Sequence, residues 1–207
     1  MKIDVLQVGY ISTNCYILTD DVSSDAVIID AGASFERIKE HLDASGKKAV
    51  AVLLTHGHFD HIGAAGEFQR AGAKIYAHEA EADMMYNGCA LSRRFGLNRP
   101  QLVADVKLRG GEDFEIAGLT FSAIHTAGHS KGGVCYLCGE NLFCGDTIFF
   151  EDYGRTDLNG GDFNELKKSV SEKIFTLPAQ TILYPGHGEA STVGYEKEHN
   201  SIAVESR

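Results

Sequence analysis

Residues 52–66 read VLLTHGHFDHIGAAG, and this stretch limits the fold more tightly than its surroundings do. An apolar run ends in His56, His58, Asp60 and His61, and a run of small residues follows at once. Continuous apolarity is the pattern of a strand covered on both faces. Four polar side chains at the mouth of such a strand are costly to desolvate unless something pairs with them. His56 and His58 are two positions apart, so in extended chain both imidazoles leave on the same side, and Gly57 permits close approach. Asp60 and His61 are adjacent, and adjacency is expected to send their side chains apart. The stretch thus offers two ligands to each of two neighbouring metal ions. It is not the helical His-Glu-x-x-His pattern that holds a single zinc.

Two side-chain donors leave an ion's coordination incomplete, so further ligands are expected from distant positions. Three candidates stand at strand ends or in Gly-rich turns: His129 in HTAGHSKGG, Asp146 in FCGDTIFF and His187 in YPGHGEA. Each directly follows a glycine, which lets the backbone turn sharply and come close to a crowded centre.

The elements around these motifs alternate between β-runs and helices. KIDVLQVG, NCYILTD and AVIIDAG read as strands, followed by the helix SFERIKEHLDAS with Ser34 as N-cap and Gly46 as stop. AVAVLLT reads as a buried strand, AAGEFQRAG as a short helix, KIYAHE as a strand and EAEADMMY as another helix. Residues 87–105 carry Gly88, Gly96 and Pro100 and read as an irregular loop. The second half continues with the strands DVKL, DFEI, LTFSAIHT, GVCYLCG and NLFCGDT. An amphipathic helix, FNELKKSVSEKIFTL, follows with Asp162 as N-cap; then come the strand TILYPGH and a last helix, VGYEKEHNSIAV. Two halves of this form suggest an α/β chain with two sheets inside and helices outside, and residues 1–207 are expected to form one domain.

THGHFDH, followed in order by AGHS, GDT and PGHG, resembles the metallo-β-lactamase superfamily of binuclear metallohydrolases. The likeness runs from NCYIL and IIDAG to LYPGHG, nearly the whole chain. It implies a four-layer αβ/βα sandwich of two mixed sheets, with the site at one edge between them. Carried over residue by residue, it implies His56, His58 and His129 at a first ion. Asp60, His61 and His187 stand at a second, and Asp146 bridges both. It also implies two divalent cations: zinc is expected, with iron or manganese as alternatives. A water between them, its pKa lowered from about 15.7 toward about 7, would be the nucleophile. Asp60 would orient it and pass a proton. Asp30, ending VIID, is either a partner behind the ligands or a simple turn acid.

Within the superfamily the chain looks most like the glyoxalase II group, which hydrolyses thioesters of glutathione such as S-lactoylglutathione. GDTIFFEDYGRTD and LYPGHGE carry that likeness. Arg155 takes a basic position that holds glutathione in that group, Asp157 stands where a tyrosine is usual, and 20 residues follow His187. Arg155 and Tyr153 are therefore candidate substrate contacts in a short, single-domain glyoxalase II-like hydrolase; the bland alternative pairs Arg155 with Asp157 or Asp162. YGRTD also resembles the persulfide dioxygenases of the superfamily, which bind one iron through residues matching His56, His129 and Asp146. A flavodiiron-type module is disfavoured, because that group has a glutamate where this chain keeps His58.

Other residues are expected to be ordinary. His41, His78, His125 and His199 lack the glycine context of the candidates. Cys135 and Cys138 of CYLC are three apart, so in a strand they face opposite sides as small core residues rather than a redox pair. The five cysteines have no framework spacing and suggest reduced thiols in a cytoplasmic protein. A formal charge of −10, from 29 acids against 19 bases, disfavours nucleic acid and anionic membranes as partners and leaves a small-molecule substrate. No apolar stretch approaches the ~18 residues of a membrane span.

Overall fold

A computed structural model describes residues 1–89, Ser92, Arg94 and 100–204. The first sheet runs in chain order: β1 (Lys2–Val8), β2 (Thr13–Thr19), β3 (Asp25–Ile29), β4 (Lys48–Leu53), β5 (Lys74–His78) and β6 (Val106–Leu108). Its first three strands pair antiparallel and the rest parallel, so it is mixed. Parallel pairing needs crossovers. These are supplied by α1 (Phe35–Ala44), and by α2 (Phe59–Ile62) with α3 (Ala65–Arg70); α4 (Ala82–Asn87) lies between β5 and β6.

The second sheet comprises β7 (Asp113–Ile116), β8 (Leu119–His125), β9 (Val134–Cys138) and β10 (Asn141–Gly145). A two-stranded hairpin, β11 (Ile148–Phe149) and β12 (Asp152–Tyr153), then stands apart from both sheets. After it come β13 (Ile182–Pro185) and β14 (Ser191–Thr192), giving the order β14-β13-β10-β9-β8-β7. The parallel β10–β13 crossover contains α5 (Phe163–Ser169), continued by a π-helical stretch at Val170–Ile174, and the last described elements are α6 (Val193–His199) and α7 (Ser201–Val204).

Alternation along the strands sorts the core into three layers. Ile17, Ile28, Val52 and Ile75 face out from the first sheet against Ile38 and Leu42 of α1 and Phe68 of α3. Their neighbours Leu18, Val27, Ile29 and Leu53 face in, toward Phe121, Tyr136 and Phe143. Beyond the second sheet, Cys135, Leu142 and Leu183 meet Leu166, Val170, Val193 and Ile202. The expected α/β sandwich of two mixed sheets flanked by helices is what forms. Among the described residues no helix is long and apolar enough to cross a membrane.

Two local expectations need correction, and one falls partly outside the described residues. Ser34 occupies the N-cap position of α1 but takes a left-handed backbone (φ 60°) and makes no side-chain cap bond. Asp162 does cap α5, accepting from Asn164 N and Glu165 N. The last helix is not continuous. Asn200 breaks it because its backbone turns extended, and its side-chain amide donates to the carbonyls of Phe149 and Asp152 instead. Asn200 also donates 2.7 Å to the buried Glu196, which accepts from Glu151 N, so α6 clamps the β11–β12 hairpin that the sequence did not suggest. Of the loop expected at 87–105, residues 90, 91, 93 and 95–99 lie outside the described residues.

Cys135 and Cys138 do face opposite layers, one against the helices and one between the sheets. Burial pushes the Cys135 thiol up to about 11 and raises Cys15 and Cys144 as well. The thiolate is the reactive form, so near pH 8 a thiol so raised holds roughly 100-fold less of it. We expect Cys89 to react first with a disulfide reagent in the folded protein, while Cys15, Cys135 and Cys144 wait for unfolding. Five thiols titrating together in native buffer would contradict this layering.

Candidate metal centre

The sequence motifs converge where the carboxyl ends of β4, β10 and β13 meet. Two backbone bonds stitch the sheets there: Val134 N donates to Thr55 O (2.9 Å) and Asn14 N donates to Gly186 O (2.7 Å). Tyr136 reaches across the interior to donate its hydroxyl to Leu54 O. The approach is close enough that glycine is required. A Cβ on Gly186 would lie 2.3 Å from Asp146 Oδ1 and 2.6 Å from His61 Cε1. The glycines before His129 and Asp146 are left-handed, at φ 134° and 49°, which side-chain-bearing residues rarely adopt.

Among the described residues, donor atoms gather in three overlapping groups: His56, His58 and His129; His56, His61 and Asp146; and Asp60, His61 and His187. His129 Nε2 lies 2.8 Å from His58 Nδ1 and 3.2 Å from His56 Nε2. His187 Nε2 and His61 Nε2 each lie 3.2 Å from Asp60 Oδ2. Asp146 stands between: its Oδ1 is 3.3 Å from His61 Nε2, and its Oδ2 is 3.6 Å from His129 Nε2 and 3.8 Å from His187 Nε2. All seven expected donors are therefore brought together. The expectation that Asp60 and His61 diverge is wrong. Both lie in the single turn of α2, and both side chains reach one point instead of leaving on opposite faces as in a strand.

Buried nitrogen lone pairs and carboxylates must be satisfied. Yet His61 Nε2 and Asp146 Oδ1 are buried without a hydrogen-bond partner among the described residues, and they face each other. Neutral imidazoles and carboxylates are the donor set that divalent first-row metals take. Orphaned donors aimed at a common point fit such ions.

The electrostatics differ between the two ends. Burial holds His56 well below the usual imidazole range and pushes His58 down to about 4, with the neighbouring imidazoles adding to the effect. Both are thus neutral near pH 7, the form that ligates. At the other end burial opposes charge, but the carboxylates of Asp146, Asp60 and Asp30 outweigh it and raise His61 well above its usual range. His187 is raised for a like reason, despite burial, by its bond to Asp60 and by Asp146. Burial works against ionised Asp60 and Asp146 too, but His61 above all holds both below the ordinary carboxylate range. A cation there would replace the protons that these carboxylates otherwise hold on His61 and His187.

Orientation comes from a ring of partners behind the donors. Asp30 is buried and left-handed (φ 56°), a conformation aspartate tolerates better than most residues. It accepts from Thr55 N (2.8 Å) and Thr55 Oγ1 (2.7 Å) and lies 2.8 Å from His61 Nδ1, which leaves Nε2 for the centre. His129 Nδ1 is 2.8 Å from the Arg155 carbonyl oxygen, which fixes that ring in the same sense. The Arg155 guanidinium instead makes two 2.7 Å bonds to Asp157 and is exposed. The Tyr153 ring packs 5.5 Å from that of Phe163. Sequence reading missed Thr13, which donates to Asp60 Oδ2, as well as Thr55 and Glu81, because nothing in local spacing marks a residue that touches the site only from behind. The four histidines expected to be ordinary stay outside the donor groups: His78 stacks on His125, His199 on Tyr195, and His41 pairs with Asp4.

Comparison with known proteins identifies the family. A family model described as the metallo-beta-lactamase superfamily matches residues 8–187. Hydroxyacylglutathione hydrolase GloC of Haemophilus influenzae is 32% identical over 208 residues, covering 97% of each chain. Among solved structures, the BLEG-1 B3 metallo-beta-lactamase superposes with a TM-score of 0.92 at 36% identity, covering 98% of this chain and 99% of that one. TTHA1623 in a di-iron-bound form superposes at 0.85 with 31% identity, covering 96% and 98%.

Proposed function

The chain belongs to the metallo-beta-lactamase superfamily, and on that footing we propose that it is a binuclear metallohydrolase acting on a thioester such as S-lactoylglutathione or a related acyl-thiol. The observation that carries this reading is the facing pair of orphaned donors, His61 Nε2 and Asp146 Oδ1, at the junction of two donor clusters. The GloC likeness supports the thioester class. In this reading His56, His58 and His129 would hold one ion and Asp60, His61 and His187 the other, with Asp146 available to both. Residues 1–207 act as one cytoplasmic domain with zinc as the expected metal.

Two divalent ions bound there supply hydroxide near neutral pH and a Lewis acid for a carbonyl oxygen. The protein's own part is orientation and proton handling. Asp60, whose Oδ2 accepts from the Thr13 hydroxyl at 3.2 Å, would take the proton of the attacking water. As the new carbon–oxygen bond forms and the carbon–sulfur bond breaks, that proton passes to the departing thiolate. Asp30 holds His61, and the Arg155 carbonyl holds His129, so the clusters need little rearrangement during turnover.

Arg155 and Tyr153 are the proposed substrate contacts, with the Arg155 guanidinium exchanging Asp157 for an anionic group of the thiol carrier. Arg155→Ala is then expected to raise KM more than it lowers kcat. An unchanged KM removes Arg155 from the site. The functional test is metal analysis of the purified protein together with assays on S-lactoylglutathione, a β-lactam, a lactone and a glutathione persulfide. Thioester turnover with about two ions per chain supports the reading.

A second reading is favoured by one observation: His129 Nε2 lies 3.2 Å from His56 Nε2 and 3.6 Å from Asp146 Oδ2. Those three would suffice for a single iron in a persulfide dioxygenase. One iron per chain with oxygen uptake on the persulfide would select it.

A further inference from the structure

Glu81 is outside the seven donors, yet it is 1% exposed and bonded to both loops that build the first cluster. Its Oε2 accepts the N–H of Gly57 at 2.8 Å, and its Oε1 accepts the N–H of Gly132 at 2.6 Å. Gly57 separates His56 from His58 on the loop leaving β4 of the first sheet. Gly132 lies three residues past His129, on the loop entering β9 of the second. One carboxylate thus ties together two loops from different sheets, the same two whose imidazole nitrogens approach within 2.8 Å and 3.2 Å of each other. The fit is tight on both sides. A Cβ on Gly57 would lie 2.8 Å from Glu81 Oε2, and one on Gly132 would lie 2.8 Å from Glu81 Cγ and 2.9 Å from His78 Nδ1. Glycine stands at both positions because the Glu81 side chain occupies the space a larger residue would need.

We propose that Glu81 is a positioning residue for the first ion. By accepting both amides it fixes the gap between the two loops, and so the approach of His129 to His56 and His58. This rests on the reading of those three histidines as metal ligands. The second cluster is oriented differently: Asp60 by Thr13, His61 by Asp30. Glu81 therefore acts on one ion and not on the other.

The test is Glu81→Gln. The carboxamide keeps the shape but has one oxygen, so one backbone N–H must face an N–H₂ group and the tie is broken. Ion affinities are read by chelator competition and by cobalt absorption spectra, with His58→Ala and His187→Ala as references for loss at the first and second cluster. Glu81→Gln is expected to bind the first ion about 10–100-fold more weakly, as removal of an outer partner of metal ligands commonly does, with the second ion unchanged. If Glu81→Gln does not fold, Gly132→Ala, which displaces the carboxylate from the other side, is expected to give the same one-sided loss. Wild-type affinity at both clusters, or equal losses at both, overturns the proposal, the latter marking Glu81 as merely structural. A wild-type protein that binds a single ion at the first cluster refutes the binuclear reading instead; loss of that ion in Glu81→Gln still supports this one.

Discussion

Asp146→Ala is expected to lower kcat/KM for thioester hydrolysis by at least about 1,000-fold and to reduce the ion content to one or none per chain. Asp146 is the side chain that approaches both clusters, with one oxygen 3.3 Å from His61 and the other within 3.8 Å of His129 and His187. It is held ionised against the cost of burial largely by His61. On the proposed binuclear reading, removing it would strip a ligand from both ions and leave the raised His61 facing a hole. Far-UV circular dichroism separates loss of the site from loss of the fold. Activity within tenfold of wild type, with both ions retained, would show that the bridge is dispensable.

Asp60→Asn is expected to cost at least about 100-fold in kcat while much of the metal is kept. The carboxamide retains an oxygen where Asp60 Oδ2 meets His61, His187 and Thr13, but it has no basicity with which to accept the water's proton. Asp60→Ala should add metal loss to that defect. The pair separates the proton-handling role from the ligand role. Near-normal kcat in the asparagine variant would assign Asp60 to ligation alone.

The donors were legible because their chemistry is written in short range. His-x-His after an apolar run, and histidine or aspartate directly after glycine at a strand end, need only local geometry to be recognised. The sandwich was legible from the order of its elements, two halves each of β-runs followed by helices, and the folded chain then divides Val27, Ile28 and Ile29 between opposite layers. What stayed hidden depends on contacts far apart in the chain. Asp60 and His61 were expected to diverge because β geometry was carried past the point where the chain turns into α2. Ser34 has the residue type of an N-cap, but its left-handed backbone turns the hydroxyl from that role. Glu81 looks like a surface acid of a helix start; only the folded chain puts Gly57 and Gly132 against it. Asn200 sits in a helical pattern, and its pull toward the Phe149 and Asp152 carbonyls, 51 and 48 residues upstream, overrides that local preference. In each case a tertiary hydrogen bond or a backbone turn overrode the local propensity.

Anomalous diffraction from metal-loaded crystals, collected at the absorption edge of the bound element, locates the ions without reference to activity. Two peaks about 3.5–4 Å apart are expected, one among His56, His58 and His129 and one among Asp60, His61 and His187, with Asp146 between them. A single peak, or peaks away from these seven side chains, would contradict a paired-ion hydrolase.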